Sequence, residues 1–245
     1  MIDIEWEGID KTIRALDNMA KKQVPFATMM AINETANDVK AAEIKKMKRV
    51  FNKPTKTTLN SVIIRYAKKI SLWATVKIKD KPFSGGGAAV KDYLGPQIHA
   101  GERKRKGSEM RLQSSFKMTK GRYIVPGQGM KLNKFGNIPK GKMTQIMSAV
   151  GGHHDTRQNV TARSKKLNKN VRDYFVVKKG NPRVQHLHPG IYRRIGRTIR
   201  PMLLYVKKPR YFVRFRFFHI ADTVIGKKLV NNFNKALDRA LRTAR

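Results

Sequence analysis

The sequence contains no cysteine. That excludes a disulfide scaffold, thiolate zinc sites, iron–sulfur ligation and a cysteine nucleophile. Tryptophan occurs twice and aromatics make up 8% of the chain, which leaves little material for an extended base-stacking surface. The longest unbroken apolar run is Met202 to Val206. A bilayer-spanning helix needs about 20 such residues, so no membrane span and no membrane partner are expected. The first ten residues read MIDIEWEGID, too acidic for the basic opening of a secretory leader, and none is expected. Negative charge is scarcest of all. Against 54 Lys and Arg stand 16 Asp and Glu, a formal net charge of +38 in 245 residues.

The few acids are unevenly placed. Residues 1–43 hold eight of them (Asp3, Glu5, Glu7, Asp10, Asp17, Glu34, Asp38 and Glu43) with five bases, so the remainder of the chain carries +41. Self-repulsion of that size opposes a compact state unless counter-charge is at hand. Nucleic acid, an anionic membrane surface or an acidic protein surface would supply it, and the bland alternative is a merely solvated basic face. Nucleic acid is the default, because each neutralised phosphate releases counterions.

Ile2 and Ile4 alternate with acids, as in a short strand. Asp10 suits the N-cap of a helix through Ile13, Leu16 and Ala20. Pro25 suits the first turn of a second helix, with Met29, Ile32, Ala36 and Val39 on one face and an end before Pro54. Leu72, Ala74, Val76 and Ile78 show period two, with Ser61–Tyr66 as a strand partner. Gly85-Gly86-Gly87 reads as a loop, Ser108–Phe116 as a short helix, Arg122–Val125 as a strand, Met143–Val150 as a helix, and Tyr174–Val177 and Met202–Val206 as strands. A final helix starts near Phe218 with Ile220, Val224, Phe233, Leu237 and Leu241 at helical spacing. Tyr211–Phe217 fits either a strand or the first turns of that helix. The expected fold is α+β, a strand-rich central sheet flanked by amphipathic N-terminal and C-terminal helices. One domain over 1–245 is expected, with 1–50 an acidic strand plus two helices and 151–170 a basic loop excursion.

Signals for catalysis are weak. The later acids are scattered, and neither a phosphate-loop pattern nor Gly-x-Ser-x-Gly occurs. Gly127-Gln128-Gly129 lacks the third glycine of a dinucleotide fingerprint. His153, His154, Asp155, His186 and His188 are the best metal candidates, but their spacing is unspecific and solvated loop histidines explain them as well. Glu43 and Lys45 read as a helix-surface pair. No enzyme, cofactor or metal is expected.

From Thr156 to Ala221, 18 bases face one acid, Asp173. Four groups stand out: Arg157, Arg163, Lys165, Lys166 and Lys169; Arg193, Arg194, Arg197 and Arg200; Lys207, Lys208 and Arg210; and, earlier, Arg103, Lys104, Arg105 and Lys106. All fall at expected turns or loops, where long cationic side chains reach phosphate without reading bases. No helix-turn-helix, zinc-finger or RNA-recognition signature accompanies them.

Several segments together carry a family resemblance: Ala31-Ile-Asn-Glu-Thr-Ala36; Phe51-Asn-Lys-Pro-Thr-Lys-Thr-Thr-Leu-Asn-Ser61; Tyr93-Leu-Gly-Pro-Gln-Ile98 with the basic run and Glu109 after it; Val125-Pro-Gly127 with Lys131-Leu132 and Gly136-Asn-Ile138; Gln145-Ile-Met-Ser148; Leu187-His-Pro-Gly-Ile-Tyr-Arg-Arg194; and Pro209-x-Tyr211. In this the chain resembles the minor tail protein Z-like, tail-completion proteins of long-tailed phages (siphoviruses). The resemblance implies a structural virion protein at the head–tail junction or upper tail, assembled in the host cytoplasm. Its implied partners are the tail terminator, the head–tail connector, the tail tube, packaged DNA and further copies in a ring, often sixfold. Asp10, Asp17 and Asp38 would then face protein neighbours, and the basic loops would face DNA or acidic neck proteins. The alternative from composition is a sequence-independent nucleic-acid-binding protein of ribosome- or nucleoid-associated type.

Overall fold

The computed structural model describes residues 1–5, 18–80, 89–178, 180 and 182–243, with the backbone alone for 2–5, 18–22, 169, 170 and 183. In chain order the elements are β1 (Ile2–Glu5), α1 (Asn18–Val50), α2 (Lys56–Leu59), β2 (Val62–Arg65), β3 (Trp73–Ile78), α3 (Val90–His99), α4 (Gly107–Ser114), β4 (Tyr123–Pro126) and α5 (Lys140–Ala149). They continue with a 3-10 turn (Thr156–Gln158), α6 (Ala162–Leu167), α7 (Lys169–Arg172), β5 (Tyr174–Val177), a second 3-10 turn (Pro182–Val184), β6 (Gly190–Ile195), β7 (Thr198–Val206) and α8 (Phe217–Arg242). Among the described residues no helix is long and apolar enough to cross a membrane. The fold is α+β, with helices at both ends, and its strands are shared between two antiparallel sheets. The chain divides into two units, residues 1–100 with 212–245 and residues 101–211.

The first unit lays α1 and α8 over a three-stranded sheet of order β1-β3-β2. The register pairs Ile2 with Val76 and Val62 with Ile78. The expected period-two strand is present, with Ala74, Val76 and Ile78 buried among Ile32, Ala36, Val39 and Met47 of α1. The two long helices run antiparallel: Ala27 and Ala31 pack on Ala236 and Ala240, while Asn232 reaches Thr35 and Asp38. Alanine lets the helix backbones approach closely at that end.

Pro25 does not begin a helix. It sits inside α1, as the eighth residue of its described span. An interior proline costs a helix about 3 kcal/mol. The burial of Ala27, Ala31, Ile32, Ala36, Val39 and Met47 along one continuous face exceeds that and carries the helix through. The expected helix capped by Asp10, through Ile13 and Leu16, and the Gly85–Gly87 loop lie outside the described residues. Helix α3 carries no clear helical pattern in the sequence, since Gly95 and Pro96 interrupt it; its inner face is Val90, Leu94 and Pro96. Residues 212–216 form neither a strand nor helical turns. They lead into α8 without regular structure, with Phe215 and Phe217 buried and Phe212 exposed.

The second unit is built on a four-stranded sheet of order β4-β7-β6-β5. Its core gathers Leu112, Ile124, Ile146, Met147, Tyr174, Ile191, Leu203 and Tyr205. Pro201 lies in the central strand β7, opposite Tyr192, where the register of β6 and β7 shifts. A proline is tolerated there because a bulge releases the ladder from needing its missing N–H. The 151–170 stretch is not plain loop. It holds the first 3-10 turn and α6, whose N-cap Thr161 accepts a hydrogen bond from the Ser164 N–H.

Candidate nucleic-acid interface

The second unit contains 28 bases and four acids, a net charge of +24 in residues 101–211. All four acids have a partner within the unit. Glu102 pairs with Lys208, and Asp173 with Arg172 at 3.4 Å. Asp155 caps the first 3-10 turn by accepting from the Arg157 N–H. Glu109 is fully buried and accepts from both terminal guanidinium nitrogens of Arg103, Nη1 and Nη2, from the Lys106 N–H at 2.7 Å and from the Ile124 N–H at 2.9 Å. Burial alone would raise the Glu109 carboxyl; the Arg103 bonds and the two N–H groups outweigh it and hold the carboxyl below its ordinary range. The Glu109 bonds in turn hold the Arg103 guanidinium above its ordinary value. Little negative charge is left to offset the remaining bases.

Arg193, Arg194 and Arg200 are not in loops. They lie on β6 and β7, and only Arg197 occupies the turn between them. Gly196 has φ of +60° while Arg197 does not, the glycine-first pattern of a two-residue hairpin turn. The hairpin extends beyond the core: every residue from Arg194 to Arg200 is exposed, Ile195 and Ile199 included. Runs of arginine there suggest a loop because Arg193 and Arg194 interrupt the apolar residues of β6, Ile191, Tyr192 and Ile195.

Arg157 is exposed in its 3-10 turn, and α6 presents Arg163 and Lys166 to solvent with Lys165 half-buried. Lys169 begins α7, and its side chain lies outside the described residues. Only the end of this group is tied to the hairpin: α7, which Lys169 begins, leads into β5, and the Arg194 N–H donates to the Asp173 carbonyl at 2.9 Å.

The other two groups also meet. Gly101 and Tyr211 pair as an isolated bridge and Lys208 bonds Glu102, so Lys207, Lys208 and Arg210 lie beside Lys104 and Arg105. Within this group Arg103 faces inward, over the Tyr123 ring at 4.7 Å, and its role is structural as well as electrostatic. Arg105 donates to Gln113 at 2.9 Å.

Of the acids expected at a protein interface, Asp10 and Asp17 lie outside the described residues. Asp38 is half-buried in the first unit and accepts from Asn232 at 3.1 Å. Glu43 is not a surface residue. It is fully buried on α1, and neither carboxyl oxygen has a hydrogen-bond partner among the described residues. Burial pushes its carboxyl up to about 8. His153 is buried and His154, His186 and His188 are exposed. Among the described residues no three His, Asp or Glu side chains are gathered to hold a metal ion.

No curated protein and no solved structure matches the chain. Residues 6–137, more than half of it, match the family described as Prophage minor tail protein Z (GPZ). That match includes α1, the strands β2, β3 and β4, and the Arg103–Glu109 pair. The chain belongs to the prophage minor tail protein Z family and is a structural protein of the phage tail.

Proposed function

We propose that the protein completes the upper tail at the head–tail junction, with its second unit turned toward polyanion and without catalytic chemistry. The observation that carries this reading is the ratio of 28 bases to four internally partnered acids in residues 101–211. Packaged DNA, or an acidic neck protein, supplies the missing negative charge. The contacts are to phosphate, through Arg157, Arg163, Lys165, Lys166, Lys169, Arg194, Arg197, Arg200, Lys104, Arg105, Lys207 and Arg210. Exposed arginines on both faces of a projecting hairpin suit a groove or channel wall better than a base-reading surface.

Copies form a ring around the tail axis, with sixfold symmetry the reading implied by the family. The acidic start of the chain, Asp10 and Asp17 above all, faces neighbouring tail proteins such as the terminator, the connector or the tube. Asp38 is tied to Asn232 and serves the fold first.

Deleting the gene in the producing phage tests the role. Full heads and separate tails support completion at the junction. Normal infectious particles contradict it. A purified protein that binds duplex DNA yet joins no tail belongs instead with general nucleic-acid-binding proteins.

A further inference from the structure

The row that crosses the second sheet at Tyr174, Arg193 and Arg200 is unusual. Tyr174 on β5 stands opposite Arg193 on β6, and Arg193 stands opposite Arg200 on β7. Directly opposite residues of antiparallel strands share a face, and like charges placed so repel. A third cation joins from α5. The Lys142 ammonium and the Arg193 guanidinium each lie 5.5 Å from the Tyr174 ring centre. Among the described residues none of these three cations pairs with a carboxylate, and the neighbouring Asp173 is held by Arg172.

Two donors in the same cluster are unspent. Tyr174 is 1% exposed, and its hydroxyl is shielded from water with no hydrogen-bond partner among the described residues. The Nε of Arg193 is in the same condition. A cation over a ring engages the π cloud and leaves such N–H and O–H groups free. Leaving one buried and unmet is destabilising. The Lys142 ammonium keeps donors to spare after its 2.8 Å bond to Gln145 Oε1.

We propose that Lys142, Arg193 and the Tyr174 hydroxyl form a phosphate-binding site, with Arg200 at its edge. The ligand is one tetrahedral phosphate, the group common to a DNA backbone and to free inorganic phosphate. A phosphate offers enough oxygens to meet the guanidinium, the ammonium and the hydroxyl together, whereas a carboxylate has two. This rests on the polyanion reading of the second unit and narrows it to one cluster of side chains. Neither Lys142 nor Tyr174 stands out in the sequence, because one is a lone lysine on a helix and the other a strand aromatic.

Two measurements on the full chain test it, using wild type, Tyr174→Phe and the Lys142→Gln/Arg193→Gln pair. The first is thermal unfolding in inorganic phosphate against chloride at equal ionic strength. The second is binding of a fluorescent DNA duplex across a salt series. Tyr174→Phe keeps the ring, so its folding is not at issue. The site predicts that phosphate raises the wild-type Tm and that both variants lose most of the rise. With DNA as the source, the double variant also lowers the slope of log K on log salt by about 1. A lost phosphate shift with an unchanged slope identifies free phosphate as the ligand. Variants that match wild type in both measurements overturn the site. The wild-type duplex titration, read by itself, then shows whether the broader polyanion reading stands or falls with it.

Discussion

Glu43 sits on the row Ala36, Val39, Glu43, Met47 of α1, whose other members are all fully buried. The 3-4-4 spacing was readable in the sequence. It was outweighed by the rule that Glu beside Lys faces water, a rule that ignores which helical face is the core. Because burial lifts the folded-state carboxyl from 4.5 to about 8, the folded chain keeps a proton that the unfolded chain has lost between those values. Stability contributed by the neutral group is complete below about 4.5 and drains away as pH rises toward 8. Glu43→Gln should therefore flatten the fall in stability between pH 5 and 8 and stabilise the protein at pH 8 by about 1–3 kcal/mol. Denaturant unfolding at several pH values checks this, and parallel curves for the two proteins would refute it. Tyr205 is a second buried orphan. Its hydroxyl has no partner among the described residues, and burial pushes its ionisation well upward. Tyr205→Phe should be neutral or stabilising by up to about 1 kcal/mol, measurable as Cm in urea.

At the scale of elements, the hairpin β6–β7 explains two glycines that the sequence showed only as parts of motifs. A Cβ on Gly190 would lie 2.3 Å from the Leu203 carbonyl, and one on Gly127 would lie 2.4 Å from the Pro201 carbonyl. Both glycines press β7 from its two sides, one leading into β6 and the other following β4. Gly190→Ala should destabilise the protein by about 1–3 kcal/mol through a shift of β7, with Gly141→Ala as the comparison at a site with open space and no positive φ. Equal losses at both sites, measured by thermal melts, would contradict the close-approach account. Periodicity located β3 and α8 because their apolar residues recur on one face, and an unbroken apolar run located β5. It missed β6, whose arginines lie past the edge of the core, and it split α1 at Pro25, where tertiary burial overrides a local breaker. Leu241, counted on the inner face of α8, is half-exposed, because that row drifts off the core near the helix end and Ala240 takes its place.

For the whole molecule, the charge imbalance was plain in the composition, whereas its distribution was not. Sequence grouping gave four basic clusters. Folding merges two of them through Glu102 and Lys208 and ties the chain just past a third, at Asp173, to Arg194 of the hairpin. Which cations are committed inside was also hidden: Arg103 looks like its neighbours until Glu109 and Tyr123 enclose it. Duplex binding should weaken steeply with salt. Changing Arg194, Arg197, Lys166 and Lys207 to Gln should flatten the log–log slope by roughly one for each lost phosphate contact. Arg103→Gln should instead lower stability by several kcal/mol, about 3–5 for a buried pair broken on one side. A melt and a titration on the same preparations separate these effects, and a surface quadruple variant that melts early but binds normally would reverse the assignment.

The most direct test of the central claim is a density map of the assembled tail at side-chain detail. The account predicts residues 101–211 lining the conduit or facing an acidic neighbour, with the Arg194–Arg200 hairpin tip nearest the negative charge. A map that shows this unit turned to open solvent, away from both DNA and acidic protein, would contradict it.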